Sequence, residues 1–243
     1  MRVEISVESI KGVRIADRAG ADRIELCSAL SEGGLTPSHA LVEMAAIRAL
    51  GAEVHPLIRP RPGDFQYSKD ELAVMNRDIH AVDGLGATGM VVGALGPDGL
   101  LDMDACEQLI DSAEYKPVTL HRAIDVSASP RRVLEQAMTL GFKRVLTSGG
   151  QRSALDGASL IKALVAQAAG EIEIMACGGV RASNALAVVE ATGVTDLHAA
   201  VRAPVQGVPG DAVSYVGVGV PEGFDHFETD ADGVAALISV IRG

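Results

Sequence analysis

Tryptophan is absent from the chain, and three tyrosines and four phenylalanines are its only aromatic residues. So few flat rings argue against a surface that works by stacking on bases or sugars. Cysteine is also scarce: Cys27, Cys106 and Cys177 are odd in number, far apart and at no zinc-binding spacing. Neither a disulfide framework nor a structural zinc centre is implied, and reduced thiols are expected. Positive charge is in deficit, with 21 Lys and Arg against 32 Asp and Glu for a formal net charge of −11. Nucleic acid and anionic membrane surfaces are thereby disfavoured as partners, although local positive pockets remain open. No apolar run reaches the roughly 18 residues of a membrane span. The N-terminal MRVEISVESIKGVR carries charges where a signal peptide needs an apolar core, so a soluble, cytoplasmic protein is expected.

What the chain does have is apolar content and repetition. Its 243 residues are 48% hydrophobic and 22% charged, enough to bury a large core. Apolar runs of strand length alternate with helical segments from end to end, which calls for a parallel sheet. Strands are predicted over residues 2–7, 23–26, 53–58, 89–92, 117–120, 144–146, 172–175 and 195–198. Helices are predicted over 8–18, 38–50, 69–83, 103–113, 131–140, 157–169, 183–191 and 231–241. Eight such units with no linker between them point to one α/β domain spanning 1–243, a closed (β/α)8 TIM barrel. A doubly wound open sheet is the alternative, but the dinucleotide glycine fingerprint is missing after the first strand. The strand-to-helix connections are long and polar and the return turns short and bland, which places function at the C-terminal mouth. A long loop, Ala203 to Asp230, separates strand eight from the last helix and reads as a lid, a subunit contact or a flap. With Tyr215, Phe224 and Phe227 on that loop, and Phe65 and Tyr67 on the third, packing over the mouth or against a second subunit is expected.

The most chemically dense stretch is DRIELCSALSEGGLTP, Asp22 to Pro37. Period-two alternation turns Ile24 and Leu26 toward the helices and leaves Arg23, Glu25 and Cys27 inside; Glu4 and Ser6, His55 and Arg59, and Asp196 and His198 join them by the same rule. In strand five, Thr119/His121 and Leu120/Arg122 are both plausible inner pairs. Inward carboxylates at Glu4 and Glu25 need partners, with Arg59, His121 and Arg122 nearest by layer, or else they belong to an ion-pair network that plugs the barrel. A second constellation is Ser148-Gly149-Gly150 after strand six and Gly178-Gly179 after strand seven. Paired glycines let backbone N–H groups approach a phosphate or carboxylate, with Arg181 and Arg202 able to add charge; the competing reading is tight turns alone. For metals, Cu(I) would suit Cys27, Cys177 or His198, whereas a hard divalent ion would suit Glu4, Glu25 and His121. Cys106, within helix four, reads as a packed or surface residue.

The segments Ala21–Ser38, His55–Ser68, Val91–Gly99, Thr119–Asp125, Arg144–Gly157, Ile174–Asn184 and Leu197–Arg202 resemble the CutC copper homeostasis family of TIM-barrel proteins in order and spacing. The resemblance implies a cytosolic barrel, a homodimer or higher homo-oligomer, and a role in copper homeostasis with Cu(I) binding. It carries the family's motif residues onto Glu25, Cys27, Arg59, Arg61, Asp64, His121, Arg122, Asp125, Ser148, Gly149, Gly150, Gly178, Gly179 and His198. The chain departs from the family at Ala176-Cys177, where a proline and glycine are common, and in the loop after Arg202. Two functions follow as expectations. One is Cu(I) binding at the mouth, with Cys27 as primary ligand and Cys177 as second. The other is an enzyme acting on a small anionic metabolite, in which Glu25 and His121 exchange protons, Arg59 and Arg122 orient a phosphate or carboxylate, and the glycine pairs bind its tail.

Overall fold

Val3, Ile5 and Val7 alternate with Glu4 and Ser6 along the first strand, and that period of two decides which side chains meet the helices and which enter the barrel. The computed structural model describes residues 1–205 and 226–243. In chain order it has β1 (Arg2–Val7), α1 (Ile10–Ala19), β2 (Arg23–Leu26), α2 (His39–Arg48), β3 (Glu53–Pro56), α3 (Lys69–Gly84), β4 (Met90–Val92), α4 (Met103–Ser112) and β5 (Val118–Leu120). Then come α5 (Pro130–Leu140), β6 (Arg144–Thr147), α6 (Ala158–Ala168), β7 (Glu173–Ala176), α7 (Ala185–Thr192), β8 (Asp196–Ala199), β9 (Arg202–Val205), β10 (His226–Thr229) and α8 (Ala231–Arg242). The parallel strands run β3-β2-β1-β8-β7-β6-β5-β4, and a Leu57–Val91 bridge joins the two ends into a barrel. This is the TIM-barrel topology expected of eight uninterrupted strand–helix units.

Element ends follow local chemistry. Ser9, Ser38 and Ser68 cap α1, α2 and α3 with side-chain oxygens, and Ser68 with Glu71 forms a capping box. Pro130 occupies the first position of α5, one residue before the predicted start, because proline's fixed φ suits a helix opening. Pro37 by contrast lies outside α2, where Ser38 takes the cap. The outward apolar residues of the strands join those of the helices in one continuous core between the two layers. Cys106 is buried there, its thiol donating to the Ala94 carbonyl.

The connection after β8 departs from expectation at both ends. Arg202–Val205 and His226–Thr229 pair as an antiparallel ribbon, with Phe227 opposite Pro204. Lys11 of α1 forms an ion pair with Glu228, so the ribbon rests against the first helix. The connection lacks helical periodicity, and on that ground its ends read as loop in the sequence. Tyr215 and Phe224 lie outside the described residues. Phe227 sits under the Arg202 guanidinium, 5.4 Å from its ring centroid, while Phe65 and Tyr67 pack against the core.

Candidate functional site at the barrel mouth

The barrel interior is divided into a sealed lower layer and an open upper one. Below, Arg23 from β2 reaches Glu4 of β1 with its Nε, and Asp196 of β8 with Nη2 at 3.4 Å. Arg144 of β6 pairs with Glu173 at 2.6 Å and donates to the Thr119 hydroxyl at 3.0 Å. Arg23, Arg144, Glu4 and Asp196 are all buried, and this network plugs the lower barrel. His55, fully buried beside it, is held neutral by burial, with its pKa pushed down to about 3.

Above the plug lies a cavity of about 350 Å³, lined by Glu25, Arg59, His121, Arg122, Cys177, Gly178, Gly179 and His198 among others. Glu25 accepts from Ser6 Oγ at 2.8 Å. His198 bridges the layers, with Nδ1 2.6 Å from Glu4 Oε1 and Nε2 3.9 Å from Glu25 Oε2. Burial would raise the Glu4 carboxyl, but Arg23 and the His198 hydrogen bond outweigh it and hold the group well below the usual carboxylate range. Glu25 is raised: burial dominates, and the Glu4 charge adds to it against the pull of His198. Burial opposes charge on His198, yet Glu25 and Glu4 together raise its pKa. The partners of Glu4 and Glu25 are therefore Arg23, His198 and Ser6, in place of the expected Arg59, His121 and Arg122.

Those three residues have other roles. In strand five the inner pair is Thr119/His121, since Leu120 joins the outer core. Arg122 nevertheless reaches the cavity from the turn that follows. Arg59 is buried and tied down, its guanidinium donating to the carbonyls of Glu32, Gly34 and Gly63 at 2.8–2.9 Å and lying over the Phe65 ring. Arg122 donates to Asp125 and to Ser148 Oγ. Asp125 also fills the glycine turn after β6: its carboxylate accepts from Ser148 N, Gly150 N, Ser148 Oγ and the Thr147 hydroxyl at 2.5–3.1 Å. Gly149 N is taken by Thr147 Oγ1. The turn holds an anion as its sequence suggests, and that anion belongs to the chain itself.

The turn after β7 is different. Gly178 and Gly179 have positive φ angles of 97° and 67°, and among the described residues their N–H groups meet no acceptor. Arg152 and Arg181 line the cavity beside them. Arg152 is the member that the sequence did not suggest; its one signal is its place two residues beyond Gly150. The thiols do not converge. Cys27 packs with Leu57 and Val91, whereas Cys177 packs with Leu146 and Met175 on a strand three places away around the sheet. Burial pushes both thiols up, Cys27 with help from the Glu25 charge. The one three-ligand group among the described residues is Glu4, Glu25 and His198, with ligand atoms within 4.8 Å of one another; His121, expected as the imidazole of such a group, is not in it.

Residues 1–203 match the model of the CutC family. The chain belongs to the CutC family. A CutC family protein of Xanthomonas campestris is 42% identical over 242 residues, covering all of this chain and 99% of the relative. The human copper homeostasis protein cutC homolog is 45% identical over 200 residues, 82% of this chain and 73% of that one. The crystal structure of the CutC protein from Streptococcus agalactiae superposes with a TM-score of 0.78 at 34% identity, covering 82% of this chain and 97% of that one. Phosphoribosylanthranilate isomerase from Thermotoga maritima, at 14% identity and a TM-score of 0.59 over 100% of this chain and 99% of that one, shares the fold alone.

Proposed function

We propose that this CutC-family barrel binds a small phosphate- or carboxylate-bearing metabolite at its mouth and acts on it by acid–base chemistry. The observation that carries this reading is the charge of the cavity. In a chain of net charge −11, four guanidiniums line it (Arg59, Arg122, Arg152 and Arg181) beside a glycine turn whose N–H groups have no acceptor among the described residues. Arg59 and Arg122 are committed to the scaffold and supply field. Arg181 spends one N–H on the Val180 carbonyl at 2.7 Å, so its remaining donors, Arg152 and the Gly178-Gly179 turn are the groups left to touch the anion. The proton-handling pair is Glu25 with His198, whose opposed charges and shared burial couple their titration. Thermal-shift titration with inorganic phosphate tests the reading. Saturation to about 100 times Kd should add about 2.7 kcal/mol of apparent stability, a rise of several degrees. Arg152→Ala/Arg181→Ala should abolish most of that rise; a wild-type melt indifferent to phosphate would sink the anion reading.

The name of the human relative supports a role in copper homeostasis, and as a second reading we propose a cytoplasmic, homo-oligomeric protein that binds Cu(I) as cargo. Cu(I) favours thiolate ligands, and here Cys27 and Cys177 are buried, protonated and packed in separate clusters, so they do not form a two-thiol site without rearrangement. Glu4, Glu25 and His198 offer harder donors, but Arg23 already occupies Glu4. Anaerobic Cu(I) titration should therefore give at most one weakly bound ion, weakened further by Cys27→Ala. Tight binding lost only in Cys27→Ala/Cys177→Ala would establish the two-thiol site instead.

A further inference from the structure

We propose that His121 is a neutral hydrogen-bond donor, through Nε2–H, to a carbonyl oxygen of the ligand, so that the ligand is a carbonyl compound with an anionic tail. This rests on the anionic-ligand reading above and narrows its chemistry. His121 ends the inner face of β5 and caps the short turn Arg122–Val126, where Ala123 N donates to its Nδ1 at 3.2 Å. A backbone N–H can only donate, so Nδ1 carries the lone pair and the ring proton resides on Nε2. Turning the ring over would put a carbon against the Ala123 N–H and forfeit that bond. Space is short as well: a side-chain carbon at Gly93 would come within 2.7 Å of His121 Cε1, and the Phe65 ring centroid lies 4.5 Å from that of the imidazole.

The Nε2 proton is buried and has no partner among the described residues, although the residue lines the cavity. A buried donor without an acceptor is a standing cost that a ligand oxygen would relieve. Burial and the Arg59 charge keep the ring neutral, with its pKa pushed down to about 3, so it is a poor proton carrier at neutral pH but a fixed dipole in a low-dielectric wall of the cavity. A ligand hydroxyl in that place would bring a proton needing its own acceptor; a carbonyl would not. Paired with Glu25 in the same cavity, such a donor suits a substrate whose carbonyl gains negative charge when a neighbouring carbon loses a proton to the carboxylate and regains it later, with no change of oxidation state.

The test compares hydroxyacetone phosphate with n-propyl phosphate, which has the same carbon chain and phosphate and lacks only the carbonyl oxygen. Calorimetry on the wild-type chain should show the carbonyl ester binding about tenfold more tightly, the worth of one hydrogen bond in a dry site. His121→Leu should erase the difference, and His121→Gln, which retains an N–H donor, should keep part of it. Independently, long-range proton–nitrogen NMR of the unliganded wild type should show His121 as the Nε2–H tautomer from pH 8 to pH 5. Equal affinity for the two esters, or titration of His121 within that range, overturns the proposal while leaving the anion reading intact. Failure of both esters to bind removes the anion reading and the ligand class with it.

Discussion

Arg23→Leu is expected to be among the most damaging single substitutions in the chain, lowering stability by about 3–5 kcal/mol in urea denaturation. The cause is what the change leaves behind. Arg23 is fully enclosed and is the common partner of Glu4 and Asp196, with Met175 Sδ against its Nη2 at 3.3 Å. Without the guanidinium, two carboxylates remain buried with too little positive charge, because His198 reaches only Glu4 and Arg144 lies 3.9 Å from Asp196. The pH dependence should change in step. The folded-state pKa of Glu4 is depressed, so its contribution is present above the unfolded value near 4.5 and is lost as pH falls through the folded value. In Arg23→Leu that depression shrinks, and the variant should recover part of its deficit only as pH falls below 4.5, where Glu4 protonates in the folded variant before it does in the wild type and relieves the repulsion. A variant within about 1 kcal/mol of wild type at neutral pH would show that the lower barrel tolerates unpaired charge and that the Arg23 ion pairs do not hold it together.

Asp125→Ala should cost about 2–4 kcal/mol, since each deprived buried donor loses on the order of 1 kcal/mol or more and several share this carboxylate. Ser148 N and Gly150 N, two hydroxyls and the Arg122 guanidinium all point at it. The hole left would be carboxylate-sized and lined with donors, which is the description of an anion site. Formate at millimolar concentration should therefore raise the melting temperature of Asp125→Ala more than that of the wild type. Equal responses would mean that the loop had collapsed into the space. Asp125→Asn, which keeps the shape but presents an amide N–H₂ to two backbone N–H groups, should be no better than alanine by more than a small margin.

The two substitutions mark where sequence reasoning reached and where it stopped. Arg23, Glu25, Glu4 and His198 are assigned to the barrel interior by counting in twos along short strands, and the structure has each of them there. That counting works because a strand's side chains alternate faces whatever their neighbours are. Pairing is another matter. Which carboxylate meets which cation depends on the stagger between strands, and Arg23 stands beside Glu4 in the parallel register of β1 and β2. Nothing local to Arg59 or His121 reveals that one is spent on three loop carbonyls and the other carries its free proton on Nε2. The glycine turns make the same point. Ser148-Gly149-Gly150 and Gly178-Gly179 read alike as anion cradles, but only the fold brings Asp125 into the first.

The amino-acid order alone determined the eight-unit barrel and the inward faces of strands one, two, three and eight. It did so because hydrophobic periodicity and turn chemistry are local properties, repeated often enough along 243 residues to favour a closed barrel over an open sheet. Tertiary structure decided the rest: that the lower layer is sealed by Arg23 and Arg144, that Cys27 and Cys177 stay apart, and that Glu25 shares its cavity with His198 and four guanidiniums. Those outcomes depend on distances between residues far apart in the chain, and a few ångströms in a buried site separate an ion pair from an unpartnered charge.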